Sequence, residues 1–437
     1  MSATPRRLLL LLTSLVLACG PAKDPGIADI GSADGQDDGA AVFDPTALAV
    51  AVTAASDALA IDQLMAHVDL LADDALQGRE NGSPGNATAR QHIIDRLIAM
   101  GAQPGVPAAL GGGAPTWEQP FPAGVNVLGL LPGSDPLLRD QVVVIGAHYD
   151  HLGVVGKGAC KANEARAPGD TVCNGALDNA TGVAVLLELA RVLTQVKVPL
   201  RRSLLFCFFD AEEDGLLGSH FYVDHPTVAL SDVAVMFSVD LVGGDIFPGE
   251  PSSFAVDIEY SNGLRDVVVD AAQHVGLHVW PVSAFFVGQD DGGRSDHYPF
   301  RQKNVPELYF GSGSTPVYHT PADAPDQIDQ PKLLATTRHV LRVVAAVAND
   351  DGRPVFNSTP KPHLGDAAAM IFLADQILAD PANVGIADNK AALILVAKWR
   401  EQLAAWLATP PADAAEWAEY DKLVRTIVTT AFAVLGQ

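Results

Sequence analysis

Short apolar runs recur along this chain and predict strands that are buried in a sheet. The runs are continuous rather than alternating, which is typical of strands covered on both faces. The predicted strands are residues 126–131, 141–147, 202–209, 233–239, 253–260 and 305–310.

Amphipathic helices are predicted between these strands, because apolar residues recur there at spacings of three and four. Strand and helix alternate at intervals of about 30 residues, which favours an α/β fold. We therefore expect a mixed, mostly parallel central sheet with helices on both faces. The predicted helices begin near residue 62 and span residues 87–100, 183–196, 263–275 and 332–348.

The N-terminus has the pattern of a targeting segment. Arg6 and Arg7 precede an apolar run that is too short to span a bilayer, so residues 1–18 are predicted to be a signal peptide. Cys19 directly follows the small residue Ala18, as at a bacterial lipoprotein cleavage site, and is the predicted lipid-carrying residue. Ordinary signal cleavage after Ala18 stays open. In both cases the mature chain is exported.

The remaining boundaries follow from changes in composition. Residues 19–55 are rich in Gly, Asp, Ala and Pro and predict a disordered acidic tether. Residues 56–350 hold the strand and helix alternation and form the predicted main domain. Residues 351–437 begin with a Pro/Gly/Asp-rich linker and continue as a helical C-terminal extension. We expect a protein held at the bacterial cell envelope by its lipid anchor.

The net charge limits the binding partners that can be expected, and the cysteine content limits the disulfides. The formal net charge of −24 makes nucleic acid and anionic membrane surfaces unsuitable partners, so membrane contact is expected only through the lipid anchor. Four cysteines are too few for a disulfide scaffold. Cys160 and Cys173 flank a long loop and are placed to form a disulfide in an exported protein, with two free thiols as the alternative. Cys207 lies within an apolar strand and is predicted to be a buried thiol.

Histidine and carboxylate residues, which commonly bind metal ions, lie at or after the ends of several predicted strands. Because parallel strands end at one edge of a sheet, these side chains are expected to converge. Taken singly, a Glu-Glu pair is usually a solvated turn and an Asp ahead of a helix is usually a cap. Taken together, two histidines and several carboxylates suit zinc. The residues concerned are His148, Asp150, Asp178, Glu212, Glu213, Asp240 and His319.

Five segments that hold these residues resemble the zinc-dependent M28 peptidases, which are co-catalytic aminopeptidases. The resemblance covers about residues 62–348 and implies the zinc-peptidase fold, which is similar to that of phosphorylase/hydrolase-like proteins. The segments are GAHYDHLG at 146–153, GALDNATGV at 175–183, FDAEEDGLLGS at 209–219, SVDLVG at 238–243 and YHTPAD at 318–323.

The resemblance implies a role for each ligand. His148 and Asp240 would hold one Zn²⁺, Glu213 and His319 would hold a second, and Asp178 would bridge the two. A hydroxide between the two ions would attack the peptide bond of a peptide substrate.

The neighbouring residues are given supporting roles by the same resemblance. Glu212 would be the general base, and Asp150 would orient His148 through the other ring nitrogen. A further segment is implied to lie at the substrate pocket and comprises Ser295, Asp296, His297 and Tyr298.

Removal of N-terminal residues from peptides is therefore the expected activity. A carboxypeptidase stays open, since Arg294 and Arg301 are candidates for binding a substrate carboxylate. A glutaminyl cyclase has a similar fold, and a catalytically silent surface binding lipoprotein is the alternative from another class. The sequence leaves the oligomeric state open.

Overall fold

The computed structural model describes residues 43–247, 249, 252–283, 295–383 and 386–435. The predicted signal peptide, Cys19 and most of the predicted tether lie outside these residues. The strands are β1 Gln103–Pro104, β2 Glu118–Phe121, β3 Gly124–Leu131, β4 Val142–His148, β5 Ser203–Phe209, β6 Val233–Val239, β7 Ser252–Val256, β8 Ser261–Asn262, β9 His278–Val282, β10 Glu307–Gly311 and β11 Val355–Phe356.

The helices are α1 Pro45–Ala58, α2 Ile61–Leu71, α3 Pro84–Met100, α4 Thr181–Val196, α5 Leu217–Asp224, α6 Leu264–Ala272, α7 Tyr298–Gln302, α8 Gln330–Asn349, α9 Leu364–Ala379, α10 Lys390–Ala408 and α11 Ala414–Leu435. None of the described helices is by itself long and apolar enough to cross a bilayer, whereas α1 and α2, bent by 56°, satisfy length and composition as a pair.

In the part of the chain that the structure describes, nine strands form the central sheet in the order β1-β3-β5-β4-β6-β10-β7-β9, with β2 paired to β3. The central strands β5, β4, β6 and β10 are parallel, and antiparallel pairs flank them. Every residue of β4, β5 and β6 is buried, as expected for strands with helices on both faces. His148 is paired with Phe209, so β4 and β5 end side by side.

Two apolar clusters cover the two faces of this sheet. One contains residues of α1 to α4, α6 and α8, and the other contains Tyr222 of α5 and Phe300 of α7. The sequence therefore predicted the layered architecture correctly. The parallel strands leave their carboxyl ends on one edge, where the loops after β4, β5, β6 and β10 begin.

The predicted tether is wrong over its last residues, because α1 is a helix from Pro45 onward. The Asp44 side chain caps this helix by accepting a hydrogen bond from the Thr46 amide at 2.8 Å. Val52 and Ala55 are buried in the main core, and α1 contacts α4 and α8. The helix is thus ordered by tertiary packing, which its Ala-rich sequence does not reveal.

The C-terminal extension is helical, as predicted, and has a small apolar core of its own. Helices α9, α10 and α11 contribute most of that core, which also includes Phe247. Helix α9 packs on the edge strand β9, where Phe372 stacks on Trp280 with ring centroids 5.1 Å apart. Asp366 at the start of α9 accepts hydrogen bonds from Arg265 at 2.9 Å and from the Ser283 amide at 3.1 Å. The extension is thus anchored to the sheet edge by both apolar and ionic contacts.

Candidate metal centre

His148, Asp178 and Asp240 form the first group of candidate ligands. His148 ends β4, Asp240 follows β6, and all three residues are at most 4% exposed. The Nε2 atom of His148 lies 3.1 Å from Oδ1 of Asp178 and 3.5 Å from Oδ1 of Asp240. Ligand atoms about 2.0–2.1 Å from a tetrahedral zinc ion are about 3.3 Å from one another. The three residues therefore fit a single metal ion.

Glu213, His319 and the other oxygen of Asp178 form the second group. The Nε2 atom of His319 lies 3.3 Å from Oδ2 of Asp178 and 3.3 Å from Oε2 of Glu213. Among the described residues, the Nε2 atoms of His148, His151 and His319 are buried and make no hydrogen bond, which is costly unless a metal takes such a lone pair. Asp178 thus offers one oxygen to each group, as a bridging ligand does.

The backbone around Asp178 is held by a carboxylate from the loop after β10. Asp323 accepts hydrogen bonds from the amides of Leu177 at 2.8 Å and Asp178 at 3.1 Å. The neighbouring Asn179 donates its side-chain amide to the carbonyl of Val239 at 3.0 Å, which ties this turn to the end of β6. The peptide bond between Asp178 and Asn179 is cis. The hydrogen bonds from Asp323 and to Val239 therefore fix the segment that carries Asp178, the candidate bridging ligand, from two sides.

Asp150 connects β4 to the pair of glutamates. Its carboxylate accepts hydrogen bonds from the backbone amides of Glu212 at 3.1 Å and Glu213 at 3.3 Å. The Nδ1 atom of His148 lies 3.2 Å from the carbonyl oxygen of Asp150 and 3.6 Å from its carboxylate. The contact between Asp150 and His148 is thus made by the main chain of Asp150, whereas its carboxylate holds the two glutamates, and its orienting role stays a prediction.

The two glutamates have different surroundings. Oε1 of Glu213 lies 2.7 Å from Nδ1 of His151, and Oε2 of Glu213 faces His319. Among the described residues, nothing donates a hydrogen bond to the Glu212 carboxylate, whose Oε2 lies 4.0 Å from Nε2 of His148. A fixed carboxylate suits a ligand and an unpaired one suits proton transfer, so these contacts agree with the predicted order of roles.

The pKa values of the two glutamates move in opposite directions. Burial raises the pKa of Glu212 well above its usual value, and the charges of Glu213, Asp296 and Asp240 add to this rise. Burial and Asp178 act to raise the pKa of Glu213 too, but its close contacts with His151 and His319 leave it below its usual value. Glu212 therefore has the higher proton affinity in the metal-free site.

The segment implied to form the substrate pocket is buried. Ser295, Asp296, His297 and Tyr298 are at most 7% exposed. Ser295 donates to Oδ2 of Asp240 at 2.8 Å, and burial raises the pKa of Asp296 to about 7. Ser295 thus supports a candidate ligand, a role that the sequence did not reveal. Contact of the four side chains with substrate stays a prediction.

His297 belongs to a separate buried group with Asp257 and Glu307 that is also rich in metal-type ligands. Its Nε2 atom lies 3.0 Å from Oδ2 of Asp257. The guanidinium of Arg301 occupies the same group, with Nη1 at 2.9 Å from Oδ2 of Asp257 and 3.8 Å from Oε1 of Glu307. Because a positive charge already lies among these carboxylates, this group suits a cation less well than the two groups that contain Asp178.

Arg79 and His151 are two residues of the centre to which sequence reasoning gave no role. Arg79 is fully buried and donates to the main-chain carbonyls of Leu71, Tyr149, Asn174 and Gly175. Burial lowers its pKa to about 10, although nearby carboxylates act to raise it. The only sequence signal for His151 was its place in the segment that also carries His148.

The loop between β4 and α4 reaches the second group of ligands. A disulfide joins Cys160 to Cys173, one of the two predicted alternatives, and Cys207 is a buried free thiol as predicted. The Lys161 amide donates to the carbonyl of His319 at 2.9 Å. The disulfide therefore constrains a loop that contacts the main chain of a candidate ligand.

Comparison with known proteins agrees with this geometry. Residues 126–344, half of the chain, match the model of peptidase family M28. Aminopeptidase YwaD of Bacillus subtilis (strain 168) is 32% identical over 254 residues, which are 56% of this chain and 49% of that protein. The chain thus spans about half the length of this bacterial relative.

Two further matches concern the fold and an alternative activity. Glutaminyl-peptide cyclotransferase of Bos taurus is 27% identical over 284 residues, which are 58% of this chain and 73% of that protein. The aminopeptidase from Aneurinibacillus sp. strain AM-1 has a TM-score of 0.51 at 19% identity and covers 71% of this chain and 99% of its own. The predicted fold class is confirmed.

Proposed function

The chain belongs to peptidase family M28, and from this premise we propose that it is a di-zinc aminopeptidase that hydrolyses the first peptide bond of a peptide. The observation that carries the proposal is the position of Asp178, whose two oxygens face two different histidines. Zinc would be held by His148, Asp240 and Asp178 on one side, and by Glu213, His319 and Asp178 on the other. When bound, zinc supplies a Lewis acid for the substrate carbonyl and lowers the pKa of water to about 7.

Glu212 is the proposed proton carrier. It accepts a proton from the water that adds to the carbonyl carbon, and it delivers this proton to the amine that leaves when the C–N bond breaks. Its raised pKa in the metal-free site and its lack of described hydrogen-bond donors support this role. Asp150 and the buried Arg79 act by holding the loops that carry the ligands.

The one described arginine of the carboxypeptidase alternative is already engaged, which favours an N-terminal substrate group over a C-terminal one. Arg301 is 7% exposed and already contacts Asp257 at 2.9 Å, which leaves it unsuited to a substrate carboxylate. Arg294, the other arginine of the carboxypeptidase alternative, lies outside the described residues.

A glutaminyl cyclase is the second candidate, favoured by the similarity to the bovine cyclotransferase. A peptide with an N-terminal glutamine distinguishes the two activities. Hydrolysis gives free glutamine and a shortened peptide, whereas cyclisation gives a pyroglutamyl peptide and ammonia. Retention of both sets of ligands supports hydrolysis and also argues against a silent binding lipoprotein.

Export and lipid anchoring remain part of the proposal. The disulfide between Cys160 and Cys173 supports an oxidising compartment. We expect the full chain to fractionate with membranes when expressed in a Gram-negative host, and Cys19→Ser to release it from them. A wild-type chain without attached lipid would contradict the anchor and leave the peptidase proposal intact.

The peptidase proposal is tested with the purified protein and aminoacyl-p-nitroanilides. We expect chelator-sensitive hydrolysis that zinc restores, and none after acetylation of the substrate amine. Hydrolysis that survives acetylation would contradict an aminopeptidase. If the zinc-loaded protein hydrolyses none of these substrates, the proposal that it is an enzyme is wrong.

A further inference from the structure

His151 contacts Glu213 but has no part in the mechanism proposed above. Its side chain is fully buried, and its Nδ1 atom lies 2.7 Å from Oε1 of Glu213. A distance of 2.7 Å is that of a strong hydrogen bond to a charged acceptor. Because a carboxylate only accepts, Nδ1 of His151 carries the proton.

Two histidines thus face the same carboxylate in different ways. His319 lies 3.3 Å from Oε2 of Glu213, which is the separation of two atoms that share a tetrahedral zinc ion. His151 lies closer, at 2.7 Å from Oε1, which is the distance of a hydrogen bond, and its Nδ1 atom lies 3.9 Å from Oδ2 of Asp178. Their rings are 6.1 Å apart at an interplanar angle of 70°. The shorter distance therefore favours His151 as a hydrogen-bond donor to Glu213, although His151, Asp178 and Glu213 also have the spacing of metal ligands.

The ring of His151 is fixed in this position. Its backbone amide donates to the carbonyl of Arg79 at 3.3 Å. Gly175 packs against the ring so closely that a Cβ there would lie 2.5 Å from Cγ and Cδ2 of His151. Only glycine fits at position 175, and its φ of +58° is also one that favours glycine. The ring therefore has little room to turn away from Glu213.

We propose that His151 is a positioning residue for Glu213. By donating Nδ1–H to Oε1, it leaves Oε2 as the single oxygen that faces the second metal, beside His319. This inference rests on the proposed two-metal function. Partners of this kind fix the orientation of a ligand, and their loss typically weakens metal binding by about 10–100-fold.

Competition with a chelator, starting from the zinc-loaded chain, tests the proposal by resolving the release of two ions. In His151→Ala, we expect the second ion, beside Glu213 and His319, to bind about 10–100-fold less tightly and the first ion to be unchanged. In His151→Asn, whose side-chain amide lies near the position of Nδ1, we expect most of the affinity to return. His151→Gln, whose amide lies farther out, should behave like the alanine variant.

Cobalt gives a second readout that a general loss of stability does not produce. After replacement of zinc by Co²⁺, the visible spectrum of the second ion should change in His151→Ala and match the wild type in His151→Asn. His274→Ala is the matched control, because His274 is an exposed histidine away from the centre. If the alanine variant does not fold, the comparison of asparagine with glutamine decides the question.

Two outcomes would overturn the inference alone. One is a wild type that binds two ions while His151→Ala releases both as the wild type does. The other is an equal loss of both ions in the alanine, asparagine and glutamine variants, which indicates a structural role. A wild type that binds fewer than two ions would overturn the two-metal function itself, and the inference with it.

Discussion

Oδ1 of Asp178 lies 3.1 Å from Nε2 of His148. Its Oδ2 faces His319 at 3.3 Å, so one carboxylate touches both candidate sites. His148 ends a strand and Asp178 precedes a helix, and the contact forms only because both lie at the same edge of the sheet. A centre with two metal ions requires this position of Asp178 more than any other contact.

Replacing the bridging carboxylate should affect both metal ions. In Asp178→Asn, one oxygen and the negative charge between the ions are lost, so we expect zinc content to fall from two per chain towards zero after mild dialysis. Elemental analysis of the dialysed protein measures this. Loss of a single ion, with the other held as tightly as in the wild type, would show that Asp178 does not bridge.

The two glutamates should separate metal binding from turnover. Glu212→Gln removes the proton carrier but no ligand, so we expect two zinc ions per chain and a kcat lower by about 10²–10⁴-fold. Glu213→Gln should lose one ion. Metal analysis and steady-state kinetics on the same samples provide the test, and equal metal loss in both variants would refute the assigned order.

Ser295 should support the first metal ion, as His151 is proposed to support the second. Its hydroxyl donates to Oδ2 of Asp240 at 2.8 Å and leaves Oδ1 towards His148. In Ser295→Ala, we expect the affinity of the first ion to fall by about 10–100-fold. The exposed Ser231→Ala is the control. A weaker second ion with an unchanged first would contradict this assignment.

His339 should make the metal-free protein less stable as the pH falls. It is 1% exposed, and burial lowers its pKa to about 4, although its hydrogen bond to the Val268 carbonyl acts to raise it. Between about pH 6.5 and 4 the unfolded chain binds a proton that the folded chain does not, so the free energy of unfolding falls by up to about 1.4 kcal/mol per pH unit.

Urea unfolding at pH 7 and pH 5 measures this contribution. His339→Gln keeps a donor for the carbonyl but does not titrate, so its free energy of unfolding should fall less over this range than that of the wild type. The exposed His274→Gln is the control. An identical pH dependence in His339→Gln and wild type would contradict the lowered pKa.

The sheet and the convergence of the candidate ligands could be predicted because they depend on local pattern and on one topological rule. Continuous apolar runs identified β4, β5 and β6, and parallel strands must end at a common edge. His148, Asp178 and Asp240 then had to approach one another. The helices α9 to α11 were also evident, since their composition favours helix and prolines lie at their breaks.

The features that could not be predicted depend on contacts between distant segments. Helix α1 is ordered by packing against α4 and α8, which its own sequence does not show. Glu213 differs from Glu212 by its contact with His151, a residue of another loop. Ser295 reaches Asp240 only through the folding of the chain between them.

We propose that two metal ions bind, one on each side of Asp178. Anomalous diffraction at the zinc edge, from crystals of the zinc-loaded protein, tests this most directly. We predict two peaks, one bonded to His148 and Asp240 and one bonded to Glu213 and His319, with an oxygen of Asp178 on each. A single peak, or a peak at Asp257, His297 and Glu307 with none beside Asp178, would contradict the account.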